Sequence, residues 1–484
     1  MVRYQSSCVR AAAAHLMARR ILPAALLCIA VTLAGAAPPE LAPSPFIDGT
    51  QVDTEVLGTR IPVVLVHGLG GSPEGWDRFL RAYEASPAWR AAFKPYSFRY
   101  SSTRSEVTAD PAAPRTITAL GAALRDAMQN FYDRPTAAPD FGFGNKRVIV
   151  LAHSMGGLVA RSMMQEYAFR DGQRGGQKVL HLITLGTPHH GTPLSDAAFR
   201  LGLDTVNELD NAYPGFVAET SWTNFDRLDS SSLRCNQWLA RLNNYAPSNG
   251  ADYGRCGSVP ANPLPGYYHK VIAYAANALQ DPDDESGAVG VYKPGSSADL
   301  YISYNFLRGA FSRPYPNDGV VPLASALFEG PALWLRREAY DCDHRYMRRG
   351  YPEFVRSPTA TYTDWAFCAG TVDSAGFASG IPGGYALSGS ILGAPGGIIE
   401  TIRTVSQVER VFDYAESAYA AFLQPAGATS DIALGFYYRY YPFSQAYVGV
   451  KDGNVYYLGP ASNNELLFVT TLADFLAQAQ GAGF

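Results

Sequence analysis

No apolar run in this chain is long enough for an ordinary membrane crossing. The longest near the N-terminus, Ile21–Ala34, stops short of the about 20 apolar residues a span needs. There is no excess of positive charge: 39 basic residues face 43 acidic ones, a formal net charge of −4. That excludes bulk-charge attraction to nucleic acid or to anionic membranes. No two of the six cysteines form a Cys-x-x-Cys pair, so nothing suggests a zinc or redox site. The Gly-rich stretch His67-Gly68-Leu69-Gly70-Gly71 lacks Gly-x-Gly-x-x-Gly spacing, which argues against a dinucleotide site. Histidine is scarce, at eight residues, so candidates for an imidazole base are few.

Apolar residues make up 47% of the 484 positions and charged residues 17%, which excludes a disordered chain. The length suits one large domain plus a smaller module. Tyrosine (30) and phenylalanine (24) suffice to line a wide apolar cleft as well as a core.

Arg19-Arg20, the run Ile21–Ala34 and the small-residue site Ala34-Gly35-Ala36 have the layout of an export signal over residues 1–36. Met17 would open a signal of ordinary length. Leu26-Leu27 before Cys28 do not suit lipid attachment. Cleavage after Ala36 removes four arginines and no acid, leaving the mature chain more acidic. Cys235, Cys256, Cys342 and Cys368 remain. In an oxidising compartment four cysteines suggest two bridges, and of three possible pairings proximity favours 235–256 and 342–368.

After a Pro-rich leader at 37–47, apolar runs alternate with helical patterns. Strands are expected at Ile61–Val66, Pro95–Tyr100, Val148–Ala152, Val179–Leu185, Val271–Ala275 and Leu333–Leu335. Ile117, Leu120, Leu124, Met128 and Phe131 repeat at helical spacing, and Leu158–Ala168 reads as another helix. This rhythm implies an α/β fold with a mostly parallel central sheet. Two insertions interrupt it, at 192–268 and 276–317. The first reads as a cap over a site, with Trp222, Phe225 and Trp238 as apolar lining. The second holds Asp281-Pro282-Asp283-Asp284-Glu285. Calcium is conceivable there, but the glycine and glutamate spacing of a calcium loop is missing and a solvated turn fits better.

Residues 37–372 thus form one expected domain and 373–484 a smaller, β-containing C-terminal module. A Gly/Ser/Pro-rich stretch at 375–398 reads as a linker, Ile399–Phe422 as a helix, and Ile432–Val469 as strands with a hairpin turn at Asp452-Gly453. Tyr437, Tyr438, Tyr440 and Tyr441 have two readings: a binding surface, or packing of the small sheet on the main domain. On the first reading, a chain ending near 372 keeps its activity on small substrates; on the second it fails to fold.

The chemistry centres on Val148–Leu158, where a strand meets a helix at Ala152-His153-Ser154-Met155-Gly156. A serine on such a turn is pushed out with its hydroxyl exposed. It needs an imidazole to take its proton and an acid to orient that imidazole. Asn317-Asp318-Gly319 and Asp341-Cys342-Asp343-His344 follow in the order serine, acid, histidine. Asp318 and His344 are the favoured partners. Asp341 and Asp343 remain alternatives for the acid, and His189 and His190 for the base. His153 should point away from the site. Oxyanion donors are expected from the N–H groups of Met155 and, in the loop after the first strand, Leu69.

Together, Val-Leu-Val-His-Gly-Leu-Gly-Gly (64–71), Ala-His-Ser-Met-Gly-Gly (152–157), Thr-Leu-Gly-Thr-Pro-His-His-Gly-Thr-Pro (184–193), Asn-Asp-Gly-Val-Val-Pro (317–322) and Asp-His-Arg-Tyr-Met (343–347) resemble bacterial secreted lipases and esterases of the α/β-hydrolase superfamily. The Ala-x-Ser-x-Gly form is similar to small Bacillus-type lipases and some extracellular polyhydroxyalkanoate depolymerases. The resemblance covers about residues 60–350. It implies an α/β-hydrolase fold with a cap or lid, Ser154 as nucleophile, Asp318 as acid, His344 as base, and Leu69 and Met155 as oxyanion donors. It implies no cofactor and a lipid or other acyl-ester substrate. The alternatives are acyl transfer or polyester cleavage by the same triad, and a secreted binding protein whose triad is idle.

Overall fold

A computed structural model describes residues 38–102, 113–135, 142–194, 237–243, 264–278, 316–347 and 398–483, apart from a few positions within them, and short pieces at 303–307, 369–371 and 388–390. The signal, residues 281–285, Trp222, Phe225, Asp341 and all six cysteines lie outside the described residues, and with them the two bridges.

The central sheet has seven strands: β1 (Glu40–Pro43), β2 (Ile61–Val66), β3 (Phe93–Arg99), β4 (Val148–His153), β5 (Val179–Leu185), β6 (Val271–Asn277) and β7 (Leu335–Tyr340). Their spatial order is β1-β3-β2-β4-β5-β6-β7, parallel throughout except for β1, which runs antiparallel to β3. The inner strands are buried on both faces, which is why they read as continuous apolar runs. β7 runs on past the expected Leu333–Leu335. Its Arg336-Arg337-Glu338 concealed it, because these side chains are satisfied locally. Arg336 donates to the carbonyls of Leu327, Phe328 and Pro331, and Glu338 accepts from Asn277.

Alternation along the strands splits the core into two layers. Val64, Val66, Val148, Val150 and Leu182 face helices α3 (Ile117–Tyr132) and α4 (Met155–Glu166). The Thr116 side chain caps α3 by accepting from Ala119 N–H. Val63, Leu65, Ile149, Leu151, Ile183, Ile272 and Tyr274 face the other way, toward α1 (Asp77–Ala85), α2 (Pro87–Ala92) and the long helix α5 (Ile398–Ala418).

The C-terminal part is an antiparallel sheet in chain order, β8 (Thr429–Ala433), β9 (Phe436–Tyr441), β10 (Ala446–Lys451), β11 (Asn454–Leu458) and β12 (Leu467–Thr471), followed by α6 (Leu472–Gly481). Asp452 and Gly453 both take positive φ, 49° and 72°, as a two-residue hairpin turn requires. Within the stretch expected to be a linker, Ser388–Ser390 pairs with Ala369–Thr371.

The two sheets share one continuous apolar core, with α5 between them. Val411 and Phe412 of α5 and Tyr437, Tyr441, Val448 and Val450 of the small sheet join the same cluster as Ile149, Leu151 and Tyr274. Tyr274 and Thr401 hydrogen-bond through their hydroxyls at 2.8 Å. Arg147, at the foot of β4, pairs with Glu409 of α5. Glu409 pairs in turn with Arg439 of β9 at 2.8 Å. Burial works against the Glu409 charge, but the two arginines outweigh it and hold its carboxyl below the usual range.

Candidate active site

The turn between β4 and α4 is strained. Ser154 has φ 54° and ψ −133°, a conformation that costs a non-glycine residue about 1–3 kcal/mol and persists only when its surroundings enforce it. They do so here from two sides. Ser154 N–H donates to Leu185 O at 2.8 Å, and the Thr187 hydroxyl donates to Ser154 O at 2.9 Å. Gly156 is needed because a Cβ there would meet His67 O at 2.4 Å. Gly68 is needed because a Cβ there would meet the Ser154 Cβ at 2.6 Å.

Ser154 Oγ lies 2.7 Å from His344 Nε2, and His344 Nδ1 lies 2.7 Å from Asp318 Oδ2. A fully buried carboxylate facing Nδ1 fixes the proton there and leaves Nε2 as an acceptor for the serine hydroxyl. Asp318 is itself held: its Oδ1 accepts from Val320 N–H at 2.9 Å and Val321 N–H at 2.7 Å. His344 N–H donates to Asp318 O at 2.8 Å, so both backbone and side chain join the two loops. Asn317 ties this turn to the end of β6 by accepting from Ala278 N–H. Of the alternative acids, Asp343 uses its Oδ1 to accept from Arg345 N–H, as a turn former does.

His189 and His190 sit elsewhere. The His189 ring stacks on Phe328 at 4.4 Å and contacts Thr184 Oγ1 at 3.0 Å, while His190 Nε2 donates to Glu329 O at 2.7 Å. Trp238 does not line the serine. Its indole donates to Glu166, the last residue of α4, roughly 18 Å along that helix from its start beside Ser154.

Met155 is the first residue of α4, so its N–H is one of the helix's orphan donors. Leu69 follows Gly68, which lies against the serine. Its loop is pinned by Tyr100 O–H to His67 O at 2.5 Å, Gly70 N–H to Ser102 O at 3.0 Å and Ser102 O–H to Gly71 O at 2.7 Å. Tyr100 and Ser102 were not singled out by sequence, since they lie beyond a different strand.

His153 corrects the expectation that it points away. Its Nε2 donates to His344 O at 2.7 Å, and the two rings lie 4.8 Å apart. It thus braces the backbone of the histidine that meets Ser154. Losing this bond should cost about 1–3 kcal/mol in His344 placement, a roughly ten- to hundredfold fall in kcat with KM little changed. His153→Phe should show that fall in steady-state kinetics, and His153→Gln, which can still donate, should recover most of it. A proportional rise in KM in both variants would show a different role.

His181, His189 and His190 are all buried, and burial, helped by nearby cations, pushes their pKa values down, for His190 to about 3. The unfolded chain binds protons at these sites below about pH 6.5 and the folded chain does not, so stability falls with pH. Each histidine contributes about 1.4 kcal/mol per pH unit. Asp413, pushed upward by burial and by Glu409, opposes them only weakly, because its carboxyl is half exposed and screened by water. The protein should therefore be less stable at pH 5 than at pH 7. Urea midpoints at the two pH values measure it, and equal midpoints would refute the assignment.

The sheet order and the strained serine between β4 and α4 are those of an α/β-hydrolase fold. Residues 57–214 match the family model described as a PGAP1-like alpha/beta domain. That stretch holds Leu69, Ser154 and Met155 and ends before Asp318 and His344. Among solved structures, the chain is similar to Bacillus licheniformis lipase BlEst2 in mature form, at 18% identity over 64% of this chain and 93% of that one, with a TM-score of 0.37. It is similar to Staphylococcus hyicus lipase at 14% identity over 61% and 92%, TM-score 0.32. The metagenomic carboxyl esterase MGS0156 gives 18% identity over 62% and 69%, TM-score 0.31. No curated protein matches the sequence. Among the described residues no helix is long and apolar enough to cross a membrane, and no group of His, Cys, Asp or Glu is arranged to hold a metal ion.

Proposed function

We propose that the chain is an exported serine ester hydrolase, a lipase or carboxylesterase. The observation that carries this reading is the continuous contact Ser154–His344–Asp318, 2.7 Å at each step, on a serine held at positive φ. Ser154 Oγ attacks the acyl carbonyl carbon as His344 Nε2 takes its proton. Leu69 and Met155 N–H groups hold the oxyanion, and Asp318 stabilises the imidazolium. The tetrahedral intermediate expels the alcohol, which receives the proton from His344. Water, deprotonated by His344, then cleaves the acyl-enzyme and releases the acid. None of these steps calls on a cofactor.

A fluorophosphonate probe tests the reading. Incubated with the native protein, it should attach to the peptide containing Ser154, and p-nitrophenyl esters should be hydrolysed at a rate that the probe abolishes. A protein that is folded yet neither labels nor hydrolyses any chain length would be the idle binding protein instead. Ester product formed with added alcohol in place of free acid would make it an acyltransferase.

A further inference from the structure

The outer face of the C-terminal sheet carries a continuous row of aromatic rings. On β9 the inward positions are Tyr437, Arg439 and Tyr441, all buried, so Phe436, Tyr438 and Tyr440 lie on the opposite face. Ring centroids follow one another from Tyr440 to Tyr447 (4.6 Å), Tyr438 (5.6 Å), Phe436 (5.9 Å), Tyr456 (6.0 Å) and Phe468 (6.0 Å). The row crosses four strands, roughly 14 Å. Gly449 leaves room for it: a Cβ there would meet the Phe436 ring at 2.3 Å. At the edge, Leu466, just before β12, and Phe468 are more than half exposed, at 57% and 52%, while Leu467 pairs with Tyr457 on the opposite face. Pairing register also places Lys451 on this face.

We infer that this face adsorbs the enzyme to an uncharged lipid–water interface, a proposal that rests on the ester-hydrolase reading above. Three observations select that occupant. Tyrosine rings, apolar in body with one polar tip, suit a boundary that is apolar on one side and wet on the other. Leu466, beside Phe468, gains nothing from a stacked sugar ring but is removed from water by hydrocarbon. The chain's formal net charge of −4 disfavours an anionic surface and leaves a neutral one. The platform would hold the enzyme on insoluble acyl ester without taking part in the chemistry.

Adsorption is measured by co-flotation with phosphatidylcholine vesicles, using full-length Ser154→Ala protein so that binding is read without turnover. Binding is expected, with weaker binding to phosphatidylglycerol vesicles. Tyr440→Ser with Tyr447→Ser should reduce partitioning by about tenfold or more, and the corresponding Tyr→Phe pair should keep it. In the otherwise native chain, neither pair should alter the rate on p-nitrophenyl acetate. Leu466→Glu with Phe468→Glu gives the same readout at exposed positions should the serine pair lower the melting temperature. Absence of binding by the parent chain, unchanged partitioning in these variants, or capture instead by an insoluble polysaccharide through the same residues overturns the proposal. Loss of the hydrolase reading would show separately, as failure of Ser154 to label.

Discussion

On the proposed mechanism, Ser154→Ala should leave a folded protein that hydrolyses esters slower by a factor of about 10⁴ or more, with the probe adduct gone. His344→Ala should cost about as much, because a nucleophile and its base act as one unit and removing either disables both. Asp318→Asn is severe for a more particular reason. One oxygen of Asp318 is already held by the N–H groups of Val320 and Val321. An asparagine must keep its carbonyl oxygen there and turn its NH₂ toward His344 Nδ1. The imidazole then carries its proton on Nε2, where it faces Ser154 and takes nothing from it. The loss should appear in kcat and persist at saturating substrate. Near-native turnover in a folded Ser154→Ala or Asp318→Asn protein removes the triad as the catalytic device.

The parts of this site that could be seen in the sequence are those whose backbone demands a rare residue. Ala152, Ser154 and Gly156 mark the elbow because strand and helix pass too closely there for larger side chains. Asp318 and His344 stood out because each follows an apolar run in the required order. His153 was hidden: its identity is plain, but the twist of a strained turn, not strand alternation, sets where its ring goes. Tyr100 and Ser102, which pin the Leu69 loop, approach from a neighbouring strand, and no local pattern marks that contact. The parallel sheet was legible from runs such as Val148–Ala152. β7 was only partly so, since its charged residues find partners that sequence does not reveal. The four tyrosines of β9 show the same limit. Period two divides Tyr437 and Tyr441 from Tyr438 and Tyr440, but only packing against α5 decides which pair is inside.

That packing sets the second large effect. A chain ending at residue 372 should not fold to a stable hydrolase, even though every triad residue precedes the cut. The reason lies on one face of the central sheet. Ile149, Leu151, Ile183, Leu185, Ile272 and Tyr274 are fully buried in a cluster completed by α5 and the small sheet. Burial of each such side chain is worth about 1.5–3 kcal/mol. Baring even most of this face therefore removes on the order of 10 kcal/mol, as much as a whole domain's net stability. Arg147 loses Glu409 at the same time. The shortened chain should be insoluble, or melt without a cooperative transition, and lose activity on a short and a long ester alike. A milder probe of the same contact is Phe412→Ala in α5, expected to cost about 3–5 kcal/mol while leaving the site chemistry untouched. A soluble 1–372 chain with a cooperative melt and native rates on p-nitrophenyl acetate would show instead that the C-terminal sheet is an appendage. The lipid-adsorbing face proposed for its outer side would then be separable from the rest of the chain. With a shared core, that surface is held by the same packing that supports β4, the strand carrying Ser154.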